Sequence, residues 1–146
     1  MNIILRPATA GDSAAIHKLI YRVGINPMAL DWQRFMIAED EKGAMLGCGQ
    51  IKPHSDGTYE LASIAVWPRF QGRGVGRGII LHLLVDAPSP VYLTCRSQLR
   101  PYYEKFGFQS LAFAQMPPYF KRLWRIASTV TKLFPRAGSM QIMRKG

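Results

Sequence analysis

No acidic side chain occurs after Glu104. Residues 105–146 hold eight Lys/Arg and no Asp/Glu, whereas residues 1–104 hold eleven Lys/Arg against nine Asp/Glu. Most of the net charge of +10 therefore lies in the last third of the chain. Such a segment suits phosphate, nucleic acid, anionic lipid or an acidic protein, or else forms a solvated basic face. Cysteine is equally scarce. Cys48 and Cys95 are isolated thiols with no CxxC pair and no His/Cys cluster, which argues against a disulfide framework or a bound metal and for a reduced, cytoplasmic setting. No apolar run reaches the roughly 20 residues that span a bilayer. The opening MNIILRPATAGDS lacks a basic region followed by a long apolar run, so no secretory signal is expected. Internal repeats, low-complexity tracts and linkers are missing too. The 146 residues, 48% of them hydrophobic, are expected to form one domain, residues 1–146.

What remains is an alternation of short strands and helices. Ile3 to Arg6 is a β-branched opening strand closed by Pro7. Thr9 and Asp12 have capping-box spacing ahead of Ala14, Ala15, Ile16, Leu19, Ile20 and Val23, which recur at helical intervals. A second helical piece is expected over Ala29 to Arg34, then strands over Phe35–Ala38 and Ala44–Lys52. Asp56-Gly57 is a hairpin turn leading into the strand Tyr59–Val66. A helix over Ile79–Val85, a strand over Val91–Cys95 and a short helix over Pro101–Phe106 follow, with Gly107 after its end. A strand over Phe108–Ala114, a basic amphipathic helix over Tyr119–Phe134 and a strand near Met140–Met143 complete the pattern. The fold class is α/β in the α+β sense, with helices set into a mixed, mostly antiparallel sheet.

The stretch WPRFQGRGVGRGII places glycines at 72, 74, 76 and 78, with arginines between them, where a strand hands over to a helix. Removing Cβ atoms lets backbone N–H groups approach a ligand closely, and the arginines suggest an anion. The dinucleotide fingerprint GxGxxG fails, because the sixth position is Arg77 or Ile79. The Walker A loop fails for want of a Lys-Ser/Thr pair. The spacing Q-x-x-G-x-G is met by Gln71, Gly74 and Gly76. This loop resembles motif A of the GNAT superfamily of N-acetyltransferases. Three further stretches resemble that family in the same order: Leu5-Arg6-Pro7-Ala8 with Asp12, the strand ending Val66-Trp67-Pro68, and Pro101-Tyr102-Tyr103-Glu104-Lys105-Phe106-Gly107-Phe108.

The resemblance implies a GNAT-type central sheet flanked by helices on both faces, and an enzyme moving an acetyl group from acetyl-CoA to a primary amine by direct attack, without a metal. The residues implied at the acetyl-CoA pyrophosphate are Gln71, Gly72, Arg73, Gly74, Val75, Gly76 and Arg77. Backbone groups of Ile64 and Val66 would pair with the pantetheine arm, and an N–H near Ala65 or Val66 would face the thioester oxygen. Tyr103 would protonate the departing thiolate. The alternative is that it packs on the sheet, and Tyr102 is its rival for the role. Glu60, eleven residues before Gln71, is either a general base or an exposed strand-end carboxylate. His17, His54 and His82 are weaker candidates: His82 is expected to be packed in its helix, and His54 to serve solvent near the turn. Arg96 stands where many members carry a CoA-contacting asparagine, so that role is not carried over. Cys95 has no nearby histidine to make it a nucleophile.

In YFKRLWRIASTVTKLF, Phe120, Leu123, Trp124, Ala127, Val130 and Phe134 form a helical stripe, expected to cover the sheet, with Lys121, Arg122, Arg125 and Lys132 off it. The resemblance implies that the segment after Phe108 helps to shape the acceptor pocket, and a basic rim there would favour acceptors bearing acidic groups. The acceptor is a small-molecule amine or an amine of a peptide or protein. No specific nucleic acid and no transmembrane segment are expected, and a homodimer stays open. Two rival readings remain: a non-catalytic basic module for nucleic acid or an anionic membrane surface, and a CoA-binding sensor.

Overall fold

The computed structural model describes residues 1–146, apart from the side chain of Ala137. Seven strands form one sheet in the order β1-β2-β3-β4-β5-β7-β6. They are β1 Ile4–Pro7, β2 Phe35–Glu39, β3 Met45–Pro53, β4 Tyr59–Val66, β5 Val91–Arg96, β6 Gln109–Ser110 and β7 Met140–Lys145. Four α-helices accompany them: α1 Ser13–Val23, α2 Val75–Asp86, α3 Arg100–Glu104 and α4 Pro118–Leu133. By contacts the chain divides into two compact units, residues 1–52 with 61–87, and residues 53–60 with 88–146.

In the first unit, β2 lies antiparallel between β1 and β3, pairing Leu5 with Ala38 and Ile37 with Cys48. Ile16, Leu19 and Ile20 of α1 pack with Phe35, Ile37, Cys48 and Ala65. Successive side chains of a strand point to opposite faces, so Gly47 and Gly49 lie on the face opposite Cys48. There α2 comes close: an added Cβ at Gly49 would stand 2.5 Å from Ile64 Cδ1 and 2.8 Å from Ile79 Cγ2. These glycines admit the helix, and helices therefore cover both faces of β3. The start of α1 is fixed by charge. Arg6 Nη1 and Nη2 donate to Asp12 Oδ2 and Oδ1 at 2.8 and 2.9 Å, and Asp12 also accepts from Thr9 N–H at 2.7 Å. Gly24, at φ 75°, ends the helix.

The helix expected over 29–34 shrinks to one 3-10 turn, Trp32–Arg34. Asn26 Oδ1 takes the Met28 N–H at 3.0 Å, and Ala29 is left-handed at φ 55°; both features break the helical run before Asp31 caps the turn through Gln33 N–H.

In the second unit, β4 and β5 are parallel in the register Tyr59↔Val91 and Glu60↔Tyr92, and β7 lies antiparallel between β5 and β6. Tyr92, Met116, Phe120 and Ile142 form the core, where burial of Phe120 contributes about 2 kcal/mol. The strand expected over 108–114 is cut to Gln109–Ser110. Ala112 N–H bonds Gln115 Oε1 at 2.9 Å, closing a 3-10 turn that sets the Phe113 ring 5.5 Å from Trp124. The apolar stripe of α4 is core only in its first turns. Phe120 is buried, whereas Val130 and Phe134 are exposed, as are Ile126 and Leu133 beside them.

Candidate active site

The first unit carries the glycine loop. β4 ends at Val66, a 3-10 turn occupies Pro68–Phe70, and α2 begins at Val75, four residues before the helix start expected from the sequence. Gly72 and Gly74 are left-handed at φ 79° and 83°, conformations that L side chains rarely adopt, and a Cβ at either would meet no atom within 4 Å. Gly76 and Gly78 lie within the helix instead, and Gly78 N–H bonds Gly74 C=O at 3.0 Å. The loop thus needs two glycines for its path.

The N-terminus of this 12-residue helix has no side-chain cap and no acidic residue in its first turn. Its early amides, at Val75, Gly76 and Arg77, have no helical partners, and the helix dipole places positive potential there. Arg73 leans over the Phe70 ring at 5.9 Å, and Arg77 is exposed. Gln71 Nε2 donates to Val66 C=O at 3.1 Å, which ties the loop to the strand end formed by Ile64, Ala65 and Val66. Gln71 thus joins the loop to the Ile64–Val66 strand end within this unit, and the start of α2 with Arg73 and Arg77 presents N–H donors and positive charge.

The second unit carries Glu60 and Tyr103 in different surroundings. Tyr103 is in α3, its ring 6.5 Å from Phe106 and 6.3 Å from Phe108. Burial, with Cys95 and Tyr102 adding to it, pushes its hydroxyl above the ordinary phenol value. The rival Tyr102 packs edge-on against Tyr103 at 5.2 Å.

Glu60 is not the exposed strand-end carboxylate of the alternative reading; it is 6% exposed. Its Oε1 lies 2.7 Å from His54 Nε2, and the His54 side chain is 8% exposed. His54 stacks on Tyr119 at 3.6 Å and meets Phe120 edge-on at 5.7 Å. Its expected solvent role is therefore overturned, because the first turn of α4 covers it. The Asp56-Gly57 turn was the signal that could have paired residues 54 and 60. His82 is exposed rather than packed, and His17 Nδ1 lies 2.8 Å from Ser13 C=O on an exposed helix face. Burial pushes the Cys95 thiol up to about 11 and the Cys48 thiol up to about 12, the opposite of what a nucleophile needs. Arg96 ends β5 and is exposed.

Next to the His54–Glu60 pair is a groove of about 490 Å³ lined by Ser55, Asp56, Pro118, Lys121, Arg122 and Arg125. Phe113 lies under two of these cations, 5.5 Å from Lys121 Nζ and 5.0 Å from the Arg125 guanidinium. Asp56 faces inward to the chain: it accepts from Thr58 N–H at 3.0 Å and Oγ1 at 2.6 Å and from Tyr119 N–H at 3.0 Å. Partial burial works to raise its carboxyl, but those bonds outweigh it and hold it below the usual range. Among the described residues no cluster of His, Cys, Asp and Glu could hold a metal ion, and no helix is long and apolar enough to cross a membrane.

Residues 31–110 match the acetyltransferase (GNAT) domain. The chain belongs to the GNAT acetyltransferase family, as the loop, the strand end and the Tyr103 segment imply. No curated protein matches it by sequence. Solved structures share its fold. N-acetylglutamate synthase from Neisseria gonorrhoeae, complexed with coenzyme A and L-arginine, superimposes with a TM-score of 0.75 at 20% identity, over 98% of this chain but 32% of its own. The present chain thus spans about a third of that enzyme. A Mycobacterium tuberculosis protein in complex with CoA gives 0.73 at 21% identity, over 97% of this chain and 98% of its own. The ribosomal-protein alanine N-acetyltransferase of Escherichia coli gives 0.68 at 18% identity, over 99% and 93%.

Proposed function

We propose that the chain is a single cytoplasmic acyltransferase domain that transfers the acetyl group of acetyl-CoA to the primary amine of an acceptor that also bears a carboxylate. The observation that carries the acetyl-CoA assignment is the loop: two left-handed glycines, an uncapped helix start without acid, and Arg73 and Arg77 beside it. Successive N–H groups at a positive helix end bind phosphate oxygens, and guanidinium groups add charge-assisted bonds.

Val66 and Ile64 hold the pantetheine arm through their backbone groups, and an N–H at Ala65 or Val66 donates to the thioester oxygen, where negative charge grows during attack. The amine nitrogen forms its bond to the acyl carbon as the carbon–sulfur bond breaks. Tyr103 gives its hydroxyl proton to the sulfur that leaves, and burial keeps that proton in place until then. Glu60 takes the amine's proton through its partner His54.

The acceptor class rests on the groove. Lys121, Arg122 and Arg125 line it, and its one carboxylate is engaged by Thr58 and Tyr119, so a carboxylate is the complementary ligand and a polyamine is repelled. The Neisseria enzyme, also solved with N-acetyl-glutamate, supports a small amino acid as the first acceptor to try. The test is thiol release from acetyl-CoA with L-glutamate, a neutral amine and spermidine. Glutamate is the expected substrate, and the Arg122→Glu, Arg125→Glu double variant raises its KM about tenfold or more with acetyl-CoA affinity unchanged. Preference for spermidine contradicts the acceptor class. Binding of acetyl-CoA without turnover of any amine favours the sensor reading.

A further inference from the structure

Two residues other than glycine adopt positive φ, Ala29 at 55° and Ser63 at 58°. One side chain bonds both. Gln50, on β3, is fully buried, and its Nε2 donates to Ala29 C=O at 3.2 Å and to Ser63 Oγ at 2.8 Å. Its Oε1 accepts from Arg34 Nε at 3.2 Å, and Arg34 Nη2 donates to the same Ala29 carbonyl at 3.1 Å. Two residues along β3, on the same face, Lys52 Nζ bonds Met28 C=O at 3.3 Å. Segment 28–29 and the middle of β4 are thus held from one strand by buried polar groups.

Ser63 stands directly before Ile64–Val66. A left-handed residue inside a strand turns the chain and re-aims the groups that follow it. Along β4, Glu60, Leu61 and Ala62 are buried, Ser63 and Ile64 are half-buried, and Ala65 is buried again. At the far end, Gln71 Nε2 fixes the Val66 carbonyl. The directions of the Ala65 and Val66 N–H groups depend on these two anchors. Serine has no intrinsic preference for this conformation, so it needs an external bond to stay in it.

We propose that Gln50 is a positioning residue for acyl transfer: its amide holds Ser63 left-handed, so that the following N–H groups of β4 face the thioester oxygen. The inference rests on the acetyl-CoA reading given above and assigns a part of that site to a side chain that touches no substrate.

The test is isotope-edited infrared spectroscopy of bound acetyl-CoA labelled at the acetyl carbonyl. A hydrogen bond to that oxygen lowers its stretching frequency. The wild type shows the lowered frequency. Ser63→Ala and Gln50→Leu, studied at saturating acetyl-CoA, still bind it through residues 71–77 but return the frequency toward that of free acetyl-CoA. Ser63→Gly keeps the lowered frequency, because glycine takes positive φ unaided, and it brings the lowered frequency back when combined with Gln50→Leu. Should Gln50→Leu not fold, Gln50→Met, unbranched and similar in length but without an amide, loses both donated bonds and shows the same loss. A lowered frequency that persists in Ser63→Ala or in the Gln50 variants overturns the inference. So does a wild-type complex whose frequency matches that of free acetyl-CoA. Failure of the wild type to bind acetyl-CoA at all overturns the underlying reading instead.

Discussion

Tyr103 packs beside Phe106 and Phe108, and burial raises its hydroxyl above the ordinary phenol value. Tyr103→Phe keeps the ring and its packing and removes only the proton donor. The expected result is a kcat lower by about a hundredfold with acetyl-CoA affinity unchanged, read from steady-state kinetics beside a calorimetric titration. The acid must carry its proton to act, and its raised value keeps the proton on through the neutral range. The wild-type rate therefore shows no loss from this group below about pH 10. Asp12 is shifted in the opposite direction: the bidentate Arg6 contact holds its carboxyl far below the usual range. A group lowered on folding contributes stability above its unfolded value and loses it as pH falls toward its folded one. Asp12→Ala should cost about 1–2 kcal/mol at neutral pH. The gap from wild type should narrow below about pH 4 in thermal melts at stepped pH. Asp12 was legible in the sequence from capping-box spacing. The setting of Glu60 was not: its partner His54 is covered by Tyr119 and Phe120, residues far along the chain that no local pattern connects to it.

At the scale of elements, α2 sits on β3 because two glycines clear its path. At Gly47 an added Cβ would stand 2.7 Å from the Ala65 carbonyl oxygen, a backbone atom that cannot swing aside as a side chain can. Gly47→Ala is expected to lower stability by about 2 kcal/mol and to weaken acetyl-CoA binding by displacing Ala65. Thermal unfolding and calorimetry would check both. Strands with β-branched runs and flanking turns, such as Tyr59–Val66 and Val91–Arg96, could be read from the sequence to within a residue. The start of α2 could not, because glycines that read as loop are tolerated inside a helix when its face is packed; Ile79 and Ile80 are fully buried. Residues 111–114 read as strand by composition but turn, since Gln115 satisfies the Ala112 N–H locally.

For the molecule as a whole, charge and family motifs point the same way. The acid-free final third supplies Lys121, Arg122 and Arg125 to the groove. The motifs legible between residues 5 and 108 fall largely within the stretch matched by the acetyltransferase domain, 31–110. What the sequence could not show was which polar groups are buried together, the His54–Glu60 pair and Gln50 with Ser63 among them. Those contacts are set by strand pairing and helix packing over long separations. The central claim, that residues 71–77 with the start of α2 hold the pyrophosphate of acetyl-CoA, is most directly tested by calorimetric titration of the wild type and a Gly74→Glu variant. Gly74 has positive φ and open space around it, so a glutamate there brings a negative charge to the proposed phosphate site. The account predicts saturable binding of acetyl-CoA by the wild type and its loss in the variant, with both proteins folded by circular dichroism. A folded wild type that binds no acetyl-CoA, or a folded variant that binds it as tightly, would contradict the account.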